Sequence, residues 1–139
     1  MITLAASLIT ASAAIILLLG LIHLRYTFHG AKLEPRDASL KARMSEVSPV
    51  ITRETSMWRC WVGFNASHSF GAIFFGLVYG YLALAHRSLL FQSGFLLLLG
   101  LFFLAGYLFL GKLYWFSVPY RGIVLSTALY ASALVISWI

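Results

Sequence analysis

Four long apolar runs, parted by short polar breaks, set the pattern of this chain. Each run is continuous rather than alternating. Each reaches the roughly 20 residues that a helix needs to cross a hydrocarbon core of about 30 Å. The pattern predicts spans over about 2–28, 58–85, 89–111 and 119–138. Barrel strands are excluded, because they alternate in polarity and run to only about 10 residues. The expected fold is an all-α membrane protein. It is a four-transmembrane-helix bundle, a single domain over 1–139 with both termini on the non-cytoplasmic side.

Local signals refine the ends. Ser117 stands just before Val118 and Pro119, where a cap and a first-turn proline start a helix. Ser48-Pro49 has the same character, so the second helix has a possible start there, before it enters lipid. Between the two spans, Leu40, Met44 and Val47 follow helical spacing opposite Arg36, Lys41 and Arg43. That stretch reads either as a short amphipathic helix on the membrane surface or as an irregular solvated loop.

Composition supports a lipid solvent. The chain is 61% hydrophobic and 10% charged, against roughly 45–50% and 25% in soluble domains. A soluble domain of 139 residues has too little interior for so much apolar surface. The net charge of +6 does not indicate nucleic acid. All four acidic residues (Glu34, Asp37, Glu46, Glu54) and most basic ones fall between 25 and 59, as in a loop beside acidic head groups. The expected partners are therefore membrane lipids, with a homo-oligomer or a larger membrane complex as the assembly. Cys60 is the sole cysteine, which excludes a disulfide framework within one copy. The first run has no basic n-region or cleavage site and is expected to stay as an anchor.

Orientation follows from lysine and arginine placement. One side carries Arg25, Lys32, Arg36, Lys41, Arg43, Arg53, Arg59, Lys112 and Arg121, and the other carries Arg87. The 1–2 and 3–4 connections are thus expected in the cytoplasm, in a membrane of bacterial inner-membrane type. Trp58, Trp61, Trp115 and Trp138 fall near span ends, as in aromatic belts. Helix contacts in lipid depend on small residues. The glycines expected to serve packing are Gly71, Gly76, Gly80, Gly100 and Gly106, within the bundle or between copies. No repeat suggests an inverted-repeat transporter.

Polar side chains inside a bilayer are costly and mark candidate sites. Ser12, Gly20, His23 and Thr27 lie near one face of the first span. Trp61, Asn65 and His68 share a face of the second, beside Ser67 and Ser69. From shared boundaries near 28 and 58, His23 lies about 8 Å deep and His68 about 15 Å. Arg25, Arg59 and Arg121 form a rim. The binding candidates are therefore His23, Arg59, Asn65, His68 and Arg121.

Three readings of this cluster stay open. It is interhelical hydrogen-bond glue, typically about 0.6 kcal/mol per contact. Alternatively, it is a cytoplasm-facing pocket for a lipophilic or amphipathic molecule, with arginines suited to a carboxylate or phosphate end. The third reading is a histidine-ligated cofactor, haem or a metal, on His23 and His68. Two histidines without a characteristic spacing define no metal motif. His29 and His86 sit at span ends and read as interfacial. No acidic residue lies within a span, which argues against a carboxylate-based pump.

Arg59 followed by Asn65-Ala66-Ser67-His68, then Gly111-Lys112-Leu113 and Pro119-Tyr120-Arg121, resemble motifs of the MAPEG superfamily of membrane-associated glutathione and eicosanoid enzymes. Length, span number and the basic 1–2 loop are similar. The resemblance implies a glutathione-dependent transferase in which Arg59 and Asn65 hold glutathione and Arg121, the catalytic candidate, stabilises its thiolate. The sequence departs from that pattern where His68 replaces the usual glutamate and the Arg-to-Asn spacing is longer. The chain is similar as well to small bacterial four-span proteins with no assigned activity. An accessory structural subunit of a membrane complex is the remaining alternative, and whether the protein is an enzyme stays open.

Overall fold

The computed structural model describes residues 1–138 and is all-α among them. The elements are α1 (Ile2–Phe28), α2 (Ala38–Glu46), α3 (Met57–Ala85), α4 (Arg87–Gln92), α5 (Gly94–Tyr114) and α6 (Ser117–Trp138). Helices α1, α3, α5 and α6 are each long and apolar enough to cross a membrane. The chain is thus a small polytopic membrane protein of the four-helix class.

The third span differs from its expected start at residue 89. The apolar run is interrupted here by Gln92-Ser93-Gly94, and the backbone breaks at the same place. His86 opens the short helix α4, and Ser93 then caps α5 by accepting the Leu96 amide at 3.3 Å. A hydroxyl that takes an orphan amide starts a new helix whatever the apolarity around it.

Two compact units make up the chain, Met1–Leu19 with everything from Ala72 onward, and Gly20–Gly71. In the first unit, the side chains of Ile9, Ile16, Leu90, Leu104, Ile123 and Tyr130 are fully buried. The Phe75 ring stacks on Tyr79 and Phe103, with centroids 4.6 and 4.7 Å away. Tyr79 donates to the Leu96 carbonyl at 2.7 Å and Tyr130 to the Leu97 carbonyl at 3.1 Å. Each phenol thus buries its ring and still satisfies its hydroxyl, as an apolar interior requires. Phe74, Phe95, Phe102 and Phe109 are instead exposed, and lipid is the solvent such faces suit.

The packing glycines divide. A Cβ on Gly76 would lie 2.5 Å from Leu17 Cβ and 2.8 Å from the Ala13 carbonyl oxygen. One on Gly100 would collide with the rings of Tyr130 and Tyr79. Gly80 has only an ordinary neighbour, Ala13 Cβ at 3.9 Å. A Cβ on Gly106 would meet nothing within 4 Å in this chain, so of its two expected roles only contact between copies is left to it. Gly122 makes a close approach the glycine spacing did not suggest, 3.0 Å from Leu19.

In the second unit, α1 ends at Phe28 and the chain turns through Gly30, whose φ of +85° disfavours any side chain. Asp37 caps α2 by accepting the Ser39 amide at 2.8 Å and the Ser39 hydroxyl at 2.7 Å. Of the two readings for this loop, the helix is the one that forms. None of its residues is buried. The Met57 amide then donates to the Val47 carbonyl at 2.8 Å, which closes the 47–57 loop just where α3 begins.

Candidate functional site

The second unit brings three of the predicted polar residues together. The Asn65 amide nitrogen donates to the Trp61 carbonyl one turn back at 2.8 Å. A carbonyl only accepts, so this contact fixes which way the amide points. Its oxygen then faces His23 Nε2 at 3.0 Å. His23 must therefore carry its proton on Nε2 and donate it. The His68 ring stands edge-on to the His23 ring, with centroids 5.3 Å apart at 85°.

The two histidine rings, expected at depths of about 8 and 15 Å, are thus direct neighbours. Trp61 Nε1 donates to the Leu33 carbonyl at 2.9 Å and so ties the first turns of α3 to the 1–2 connection. The pair does not suit an axially ligated haem. The rings touch directly, which leaves no slot for a macrocycle, and the His23 Nε2 is committed as a donor. Among the described residues, no three His, Cys, Asp or Glu side chains converge.

Other members of the expected cluster go elsewhere. Ser12 belongs to the first unit, where its hydroxyl meets that of Ser126 at 2.7 Å and both are fully buried. Ser126 also donates to the Ser12 carbonyl at 3.0 Å. Ser67 and Ser69 donate within α3, to the carbonyls of Phe64 and Asn65. Thr27 donates to the His23 carbonyl at 2.9 Å. Arg59 is exposed on the first turn of α3, and Arg121 is exposed on α6 in the first unit. His86 Nε2 lies 3.0 Å from the Tyr81 hydroxyl.

Beside Asn65 lies a cavity of about 20 Å³ lined by Tyr26, Thr27, Gly30, Leu33, Glu34, Trp58, Trp61, Val62 and Asn65. That volume holds about one water-sized group, and not the apolar body of a ligand. Arg59 is not among its walls. Around it, Lys32 Nζ donates to the Tyr26 hydroxyl at 2.9 Å and lies 4.1 Å from the centre of that ring. Lys41 pairs with Glu34 and sits 5.0 Å from the centre of a Trp58 ring. The sequence reading missed Glu34, Tyr26 and Trp58 as site residues. The available signal was a carboxylate six residues past a span end, facing two tryptophans that belt placement had already accounted for.

No family model, curated protein or solved structure matches this chain. What stands is the coarse class, a small four-span helical membrane protein.

Proposed function

We propose that the cytoplasmic ends of α1 and α3 form a head-group site, which takes the polar end of an amphipathic membrane molecule. The carrying observation is the small cavity against Asn65, at the level where Trp61 ties the 1–2 connection to α3. Its size admits one small group only. The tail of the ligand then lies outside, along lipid-facing side chains such as Phe64 and Phe28, which are 75% and 60% exposed. His23 serves as a positioning residue, because its Nε2 proton holds the Asn65 oxygen and thereby the wall of the cavity.

In this reading the protein acts in the bilayer by retaining a lipid or lipid-like molecule, as a homo-oligomer or within a membrane complex. Native mass spectrometry of the gently solubilised protein tests it. The wild type is expected to carry an amphipathic ligand, and Asn65→Ala and His68→Ala to lose it. Retention unchanged in both variants refutes the site. Glutathione turnover lost in Arg121→Ala would replace this reading with the MAPEG-like one. Stoichiometric protein partners without any ligand would leave the accessory-subunit role.

A further inference from the structure

The walls of the small cavity have a chemical preference. Several of their donors are engaged within the protein itself. Thr27 gives its proton to the His23 carbonyl, Asn65 donates to Trp61, and Trp61 donates to Leu33. The walls also carry the Glu34 carboxylate, the Tyr26 hydroxyl and the rings of Tyr26, Trp58 and Trp61, while the Asn65 oxygen is held by His23. A carboxylate, neutral oxygens and aromatic faces together attract a cation.

The protein supplies its own demonstration of that preference. Two ammonium groups already lie at the rim, Lys32 against Tyr26 and Lys41 between Glu34 and Trp58. Lys41 comes from α2, none of whose residues is buried. Its ammonium is therefore a displaceable occupant of the rim rather than part of a packed core.

From this we infer that the cavity is a seat for a primary ammonium group, carried by an amphiphile such as an aminophospholipid, and that Lys41 competes for it. The inference rests on the head-group site proposed above and names its ligand class. Size selects within that class. A volume of about 20 Å³ matches –NH3⁺, which also supplies three N–H donors, whereas a trimethylammonium is larger and donates none.

Calorimetric titration of the full-length protein in detergent tests this, using short-chain phosphatidylethanolamine, and phosphatidylcholine and phosphatidylglycerol with the same chains. Phosphatidylethanolamine is expected to bind saturably, and phosphatidylcholine roughly tenfold more weakly or worse. Glu34→Gln should weaken phosphatidylethanolamine by roughly tenfold, while Lys41→Met should tighten it by removing the competitor. A salt bridge with a purely structural role would move both variants the same way, and that result overturns the proposal. Equal binding of phosphatidylcholine overturns it too. Free ethanolamine separates the sources. If it matches the lipid in affinity, the ammonium seat stands and its ligand is a soluble amine. Phosphatidylglycerol binding that depends on Asn65, without phosphatidylethanolamine binding, sinks the ammonium assignment and leaves the head-group site intact. If native mass spectrometry finds no ligand and no lipid binds, both fail.

Discussion

Replacing Gly76 by alanine would place a methyl carbon 2.5 Å from Leu17 Cβ, 2.8 Å from the Ala13 carbonyl oxygen and 2.9 Å from Leu17 Cα. Two of these three neighbours are backbone atoms, so no side-chain rotation relieves the clash. Carbon atoms pack at about 3.5–4.0 Å, and α1 must therefore back away from α3 by about 1 Å. That shift weakens contacts along Ala13, Ile16 and Leu17. Overpacking of this kind costs about 1–3 kcal/mol. Gly106→Ala provides the matched control, since its new methyl meets nothing within 4 Å, and it should show no loss, only the gain of up to about 1 kcal/mol that alanine brings to a helix interior. Gly80→Ala, with one neighbour at 3.9 Å, should resemble the control. Reversible unfolding in mixed micelles, followed by far-UV circular dichroism, measures all three. If Gly76→Ala and Gly106→Ala prove equally stable, the α1–α3 packing described here is wrong.

Three further outcomes are expected. Ser12→Ala and Ser126→Ala should each cost about 0.6–1.7 kcal/mol, and the double variant less than their sum; strict additivity in the same unfolding assay would mean the two hydroxyls do not interact. Tyr130→Phe should lose on the order of 1 kcal/mol by leaving the Leu97 carbonyl without its phenol, and wild-type stability would contradict that contact. The Ser39 hydroxyl and amide hold the Asp37 carboxyl below its ordinary value of 3.8. A depressed carboxylate stabilises the fold above the unfolded value and loses that contribution as pH falls through the folded one. The amides of Ala38–Glu46 should therefore exchange faster with solvent only below about pH 4, and Asp37→Asn should remove the pH dependence. A helix α2 unaffected at pH 3 would refute the cap.

The spans were legible because apolar length alone decides what crosses a bilayer. Where hydropathy was silent, so was the reading. The break at Ser93 interrupts the apolar run by only three residues, Gln92-Ser93-Gly94, and is capped by one hydroxyl. The rotation of each helix was not readable either, since the spans are apolar nearly all round. Hence Gly76 and Gly106 looked alike in sequence, and only one meets a neighbour. The same ignorance of rotation put Ser12 on the His23 face, although its partner is Ser126 on α6. For the candidate site, spacing and antiparallel geometry were enough to suggest His23 beside Asn65. The cavity walls were not, because they depend on the turn at Gly30 and on Trp61 reaching Leu33, long-range contacts that carry no local signature.

The head-group site is proposed at the cytoplasmic end of α3. Cys60 is the sole cysteine, half-buried and one residue before Trp61, so the wild-type chain carries its own reporter. Labelling with a membrane-impermeant maleimide in oriented membrane vesicles measures its side directly. Cys60 is expected to react in inside-out vesicles and to stay unlabelled in right-side-out ones until detergent is added. Labelling of intact right-side-out vesicles would contradict the orientation and, with it, the cytoplasm-facing site.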